Sequence, residues 1–229
     1  MKLPELREAV FLANRSLVDR GLVMQTFGNV SGIDRASGVF AIKPSGVKYA
    51  ELSPENMVLV DLEGKVVEGT FKPSSDTPTH LELYKAFATI GGVAHSHSQY
   101  ATMWAQACRS IPALGTTHAD YVWGDIPCTS ALSVQQIEGE YEVETGRQIV
   151  KTIAERDPLT VPMVLVSHHG PFSWGKSAMD SAAQSELLEY IAKLAHGTVA
   201  LQSPPLPIPT ALHARHFFRK HGAKKYYGQ

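Results

Sequence analysis

Two short apolar runs in this chain each end in histidine, and each is followed by a stretch with helical spacing; no other feature constrains the fold as tightly. Residues 90–97 run apolar around Gly91-Gly92 and finish in His95-Ser96-His97. Residues 99–110 then set Tyr100, Met103, Trp104 and Ala107 three and four apart, as one face of a helix does. Residues 161–167 form a second buried-strand pattern delivering His168-His169-Gly170-Pro171, and residues 178–200 carry the longest helical pattern in the chain. Strand followed by helix, twice, brings two histidine groups to strand ends, where a sheet commonly presents functional groups to a cleft.

The remaining elements read in sequence around these two units. Leu6, Val10, Ala13 and Leu17 predict an opening amphipathic helix that ends near Gly21 and packs on a sheet. Residues 26–32 read as a polar, glycine-containing segment, residues 39–42 as a short strand, and Lys43-Pro44-Ser45-Gly46 as a turn. Residues 57–61 and 66–67 read as two strands joined by a hairpin at Glu63-Gly64. After a second Lys-Pro-Ser turn at residues 72–75, Asp76-Thr77-Pro78 starts a helix continued by Leu81, Tyr84 and Ala88. Ser133 and Gln136 resemble a capping box, and the helix expected from there toward Arg156 is interrupted by Gly139 and Gly146. Prolines between 204 and 209 break the chain before a last helix at residues 210–221, closed by Gly222.

With 229 residues, 44% hydrophobic and 19% charged, the chain is long enough to bury a full core as one domain, residues 1–229. A formal net charge of -1 gives no electrostatic case for nucleic acid or a membrane surface as main partner. No apolar run approaches a membrane span, and the first residues interleave charge with apolar side chains, unlike a signal peptide. Cys108 and Cys128 form neither a CxxC pair nor a disulfide framework, which fits a reducing, cytoplasmic setting, and both are expected in the core.

Side chains two apart on a strand emerge on one face, so His95 and His97 can converge on one ion; two hydrogen-bonded histidines are the competing reading. Adjacent strand residues face opposite ways, so only one of His168 and His169 can join them. Three imidazoles leave a coordination position open, the pattern of a catalytic ion. Gly28-Asn29-Val30-Ser31 and the two Lys-Pro-Ser turns offer N–H and hydroxyl donors to an anion, with Ser74 and Ser75 just ahead of a helix N-terminus. A phosphorylated substrate follows from this, with ordinary surface turns as the alternative. Asp76 fits a helix N-cap, a metal ligand or an acid–base group alike, and Asp120 fits a general acid–base or a turn residue. The C-terminal segment mixes Arg215, His216, Arg219, Lys220, His221, Lys224 and Lys225 with Phe217, Phe218, Tyr226 and Tyr227. Such content reads as docking on another surface, a neighbouring subunit included, or as a disordered tail.

Taken in order, TFGNVSGID, FAIKPSGVKY, VVEGTFKPSSDTPTHLELY, HSHSQYATMWAQA, GTTHADY, GEYEVETG, HHGPFSWGK and RKHGAKKYYGQ make the chain resemble the class II sugar-phosphate aldolase and epimerase superfamily, in its pentulose-phosphate 4-epimerase branch. The resemblance implies an α/β fold, three-layer α/β/α around a central mixed, largely antiparallel sheet, assembled as a four-fold symmetric homotetramer with active sites between subunits. It implies zinc on His95, His97 and His169, with Asp76 a fourth ligand or close neighbour; such imidazoles also accept manganese or cobalt. Gly28, Asn29, Ser45, Gly46, Ser74 and Ser75 would receive the phosphate, with Lys43 close by. Thr116, Asp120, His216, Arg219 and Tyr227 would reach in from the adjoining subunit, with residues 204–229 the linker and segment that contribute there.

The implied reaction interconverts L-ribulose 5-phosphate and D-xylulose 5-phosphate by retro-aldol cleavage and re-addition at C3–C4, with Asp120 and Tyr227 moving protons on the two faces of the aldehyde. At Ser167-His168 the chain inverts the order the resemblance implies, which leaves His169, directly before Gly-Pro-Phe, as the ligand. The alternatives are an aldolase of the same superfamily, a zinc hydrolase, which the lack of an HExxH helix argues against, and a non-catalytic sugar-phosphate-binding module.

Overall fold

In the computed structural model, which describes residues 2–223 together with 225 and 226, the apolar runs become strands of one seven-stranded sheet. In chain order these are β1 (Asn29–Asp34), β2 (Val39–Ile42), β3 (Val58–Asp61), β4 (Val66–Glu68), β5 (Gly92–His95), β6 (Met163–Val166) and β7 (Gly170–Gly175), arranged β4-β3-β2-β1-β5-β7-β6. Each of these strand pairings is antiparallel, and the parallel component expected of a mixed sheet is reduced to a bridge between Cys128 and Leu165. The helices are α1 (Pro4–Asp19), α2 (Thr77–Ala86), α3 (Gln99–Gln106), α4 (Thr116–Ala119), α5 (Val134–Glu138), α6 (Tyr141–Ile153), α7 (Ala178–Leu201) and α8 (Thr210–His221).

Strand alternation sorts the side chains into two cores and so produces the three layers. Val30, Ala41, Leu59 and Ala94 pack with Val10, Ala13 and Leu17 of α1 and with Ala178 and Ala182 of α7. Phe40, Ile42, Val58, Val60 and Val93 turn the other way, onto Leu81, Leu83 and Tyr84 of α2 and Ile149 and Ile153 of α6. Each fully buried aliphatic side chain contributes roughly 1.5–3 kcal/mol, and a slip of one residue would send every one of them to the wrong layer, so two-sided burial fixes the register. Asn14 ties α1 to the sheet: its amide bonds both the N–H and the carbonyl of Val30 at 2.9 Å, next to the point where β2 ends at Ile42.

Three expectations are corrected here. The polar segment at 26–32 contains most of β1, the central strand, and residues 170–175 form β7, paired on both sides. Polar positions in these strands are buried but satisfied: Ser31 Oγ lies 2.7 Å from both His80 Nδ1 and the Tyr84 hydroxyl, and Ser173 Oγ donates to the Ser181 carbonyl at 2.9 Å. The helix expected from Ser133 is two, because the chain leaves helical geometry at Gly139; the Ser133–Gln136 capping box opens the first. Cys108 is exposed rather than in the core, while Cys128 is half-buried and packs against the edge of the larger core. Among the described residues, no helix is long and apolar enough to cross a membrane.

Candidate metal centre and substrate cleft

His95 is the last residue of β5, and His97 lies just beyond it, where the chain turns into α3. The same-face argument therefore stops at His95, yet the two rings meet, with Nε2 atoms 3.1 Å apart. The turn is held by Glu189 of α7, whose carboxylate accepts the first-turn N–H groups of Tyr100 and Ala101 at 2.8 and 2.9 Å. His169 arrives from the β6–β7 hairpin, and its ring centroid lies 4.8 Å from that of His95 and 5.1 Å from that of His97. One ligand nitrogen from each of the three rings lies within 4.8 Å of the others. His168, in left-handed geometry (φ 60°), points outward to Cys108, with Nε2 3.2 Å from Sγ. The parity argument thus resolves in favour of His169.

Protonation follows from the neighbours. The Pro171 carbonyl, which can only accept, takes His95 Nδ1–H at 2.9 Å, so the Nε2 lone pair of His95 faces the cluster. Burial lowers the pKa of all three rings, and His169 is pushed down to about 4 by burial and by His95 against the opposing charge of Asp76. Neutral imidazoles crowded this closely, with a carboxylate beside them, are a donor set that fits a divalent cation.

Asp76 corrects the capping expectation. It occupies the N-cap position of α2, but its side chain caps nothing; one carboxylate oxygen accepts from Asn29 Nδ2 at 2.6 Å. Burial alone would raise its pKa, and the neighbouring His95 and His80, with the Asn29 amide, bring it below the usual value. Its carboxylate lines the same cleft as the three rings, although it is not among the donors that cluster within 4.8 Å.

The two Lys-Pro-Ser turns are one structure. Pro44 and Pro73 form an antiparallel bridge, Ser45 N–H donates to the Lys72 carbonyl at 2.9 Å, and Ser74 N–H donates to the Lys43 carbonyl at 3.0 Å. Those two N–H groups are consumed by the pairing, so the hydroxyls carry more of any anion contact than the sequence implies. Gly28 holds a left-handed φ of 80°, and a side chain there would meet the His95 carbonyl at 2.9 Å; the close approach seats Asn29 beside Ser74 Oγ at 3.1 Å. Lys43 is buried, donating to the Thr26 carbonyl at 3.3 Å over the Tyr49 ring, and burial lowers its pKa against the pull of Asp76. The result is a cleft of about 340 Å³ lined by Gly28, Asn29, Lys43, Ser45, Gly46, Ser74, Ser75, Asp76, His95, His97 and His169, with Thr26 and Phe27 added.

Thr116, Asp120, His216 and Arg219 are not among the residues lining that cleft. Asp120 closes α4, beginning at Thr116, and receives Arg219 through Nε (3.0 Å) and Nη2 (2.9 Å) and His216 through Nδ1 (3.0 Å). Burial would raise its pKa, but these donors from α8 lower it. Trp123 packs against His213, Phe217 and Phe218 of the last helix; Phe217 is buried on its own chain, while Phe218 stays exposed. Tyr227 lies outside the described residues. Tyr141, which the chain's local pattern marks only by the Gly139 break shortly before it, brings its hydroxyl within 3.2 Å of His169 Nδ1.

The family model for the Class II Aldolase and Adducin N-terminal domain matches residues 8–196. The L-ribulose-5-phosphate 4-epimerase UlaF of Salmonella paratyphi C (strain RKS4594) is 51% identical over 227 residues, covering 99% of this chain and 100% of that protein, and the UlaF epimerase of Salmonella typhi matches to the same extent. Among solved structures, an L-fuculose 1-phosphate aldolase superposes with a TM-score of 0.78 at 25% identity over 93% of this chain and 94% of that one. The L-fuculose-1-phosphate aldolase of Thermus thermophilus shares the fold, with a TM-score of 0.69 at 23% identity over 89% and 99% of the two chains. A single antiparallel sheet carrying a histidine cluster beside paired serine turns, matched along nearly its whole length, makes this chain a member of the class II aldolase family.

Proposed function

We propose that this chain is a metal-dependent epimerase interconverting L-ribulose 5-phosphate and D-xylulose 5-phosphate. The observation that carries the reading is the single cleft in which a three-imidazole cluster faces a wall of serine turns, in a chain 51% identical to UlaF epimerases. The two sugars differ at C4, whose hydrogen is not acidic, so simple deprotonation cannot invert it. Breaking C3–C4 leaves a three-carbon enediolate and glycolaldehyde phosphate; the aldehyde turns over, and the bond re-forms on its other face. Bound zinc, or manganese or cobalt in its place, supplies Lewis-acid withdrawal of negative charge from the ketose oxygens.

The chain's own residues do the rest. His95, His97 and His169 hold the ion, with Asp76 a fourth ligand or close neighbour. Gly28, Asn29, Ser45, Gly46, Ser74 and Ser75 bind the phosphate, and the Lys43 ammonium offsets its charge. Asp120 takes or gives the C4 hydroxyl proton on one face and Tyr227 on the other, assisted by Thr116, His216 and Arg219. Because Thr116, Asp120, His216 and Arg219 do not line the histidine cleft of their own chain, we read them, with Tyr227, as serving a neighbouring subunit in a four-fold homotetramer. Residues 1–229 act as one domain, with 204–229 as the linker and contributing segment, in the cytoplasm.

The test is incubation of purified protein with L-ribulose 5-phosphate and identification of products, with and without a chelator. D-xylulose 5-phosphate is expected, abolished by exhaustive chelation and restored to different extents by zinc, manganese and cobalt. Accumulation of free glycolaldehyde phosphate would instead make it an aldolase, the activity named for its structural neighbour. Full turnover in verified metal-free protein would end the metal reading.

A further inference from the structure

Resting on that metal reading, we infer that Tyr141 is a positioning residue for the metal centre, holding His169 so that its Nε2 faces the ion. His95 is locked by its backbone surroundings: Nδ1 is bound to the Pro171 carbonyl, and the ring stacks 4.2 Å from Phe172. His169 sits in a hairpin turn rather than on a strand, and among the described residues its ring is hydrogen-bonded to the Tyr141 hydroxyl, 3.2 Å from Nδ1. With Nδ1 engaged, Nε2 is the nitrogen left for a cation, the same arrangement that His95 reaches through a carbonyl. A histidine that donates its other N–H is fixed in tautomer and ring orientation.

Tyr141 itself is placed by the helix that carries Asp76. It is the first residue of α6, two residues after the break at Gly139, and α6 packs against α2. Thr79 of α2 donates its hydroxyl to the Glu142 carbonyl at 2.6 Å. At Gly146 a side chain would meet Glu82 Cβ at 2.7 Å and the Thr79 carbonyl at 3.1 Å, so glycine allows the two helices their spacing. The α2–α6 pair therefore sets the carboxylate beside the ligand cluster and the partner of its third imidazole together.

The experiment measures zinc affinity of metal-stripped wild type, Tyr141→Phe and Gly146→Ala by competition with a chromophoric chelator, alongside thermal melting of the metal-free proteins. Tyr141→Phe is expected to bind zinc about 10- to 100-fold more weakly while melting like wild type. Gly146→Ala is expected to weaken zinc binding in the same direction, and little further when combined with Tyr141→Phe. Wild-type affinity in Tyr141→Phe would overturn the positioning role and leave the metal reading intact. Wild type that binds no zinc, manganese or cobalt would overturn both.

Discussion

His80 lies fully buried one turn along α2 from Asp76, with Nδ1 2.7 Å from Ser31 Oγ. Burial pushes its pKa down to about 3, with Asp76 opposing and His95 assisting. The unfolded chain takes up a proton on this ring below about pH 6.5, whereas the folded chain resists it until about pH 3, so the contribution to stability is full above that window and lost as pH falls through it. Between about pH 7.5 and about pH 5 the mismatch amounts to about 1.5 units, or about 2 kcal/mol at 1.36 kcal/mol per unit. His80→Asn keeps a polar atom near Nδ1 and removes the titration. Its packing loss weighs equally at both pH values and cancels in the difference. Urea unfolding of both proteins, metal-free and at equal chain concentration, is expected to show the wild type losing about 2 kcal/mol more than the variant on acidification. Equal losses would refute the claim that the folded protein keeps this ring neutral.

Two further outcomes follow from the cleft and from the α4–α8 cluster. Asp120→Asn and Tyr227→Phe are each expected to lower epimerisation by about 10²- to 10⁴-fold, the usual contribution of a positioned acid or base, with zinc content by elemental analysis unchanged. Lys43→Met is expected to raise KM for L-ribulose 5-phosphate about 10- to 100-fold, since a hydrogen bond to a charged group contributes about 1.5–3 kcal/mol. Steady-state kinetics with a verified metal complement checks the second, and an unchanged KM would remove Lys43 from phosphate recognition.

Helices with clean periodicity were legible: α1, α3 and α7 follow their apolar spacing, α8 follows the prolines before it and Gly222 after it, and the hairpin between β3 and β4 follows Glu63-Gly64. The two strands that escaped, β1 and β7, are the ones whose buried positions include Asn29, Ser31 and Ser173. The partners of Ser31, His80 and Tyr84, lie 49 and 53 residues along the chain, and Ser181 belongs to the helix that follows β7, so no pattern within either strand announces that a serine there can be buried at low cost. The convergence of His95, His97 and His169 was readable because two strand ends carried it. The joining of the Lys-Pro-Ser turns was not, because the bridge between Pro44 and Pro73 is a tertiary contact between segments that look like independent surface turns.

Asp76 shows what the fold gives up to assemble this cleft. An aspartate at the N-cap that bonds the helix typically contributes about 1 kcal/mol, and here the carboxylate turns away toward Asn29 and the histidines. Nearby, Asn29 Oδ1, Ser96 Oγ and Ser98 Oγ are buried without a protein partner among the described residues, a condition that costs about 1–3 kcal/mol per atom when nothing else satisfies it. Asn29, Ser96 and Ser98 all belong to the segments that present His95, His97 and Asp76. His80 Nε2 is left the same way one turn along α2, whereas His118 Nδ1 and Gln184 Oε1 are so placed outside the cleft, so it is the concentration of broken local rules around the histidines, with the N-cap given up at Asp76, that sets this place apart from the sheet around it.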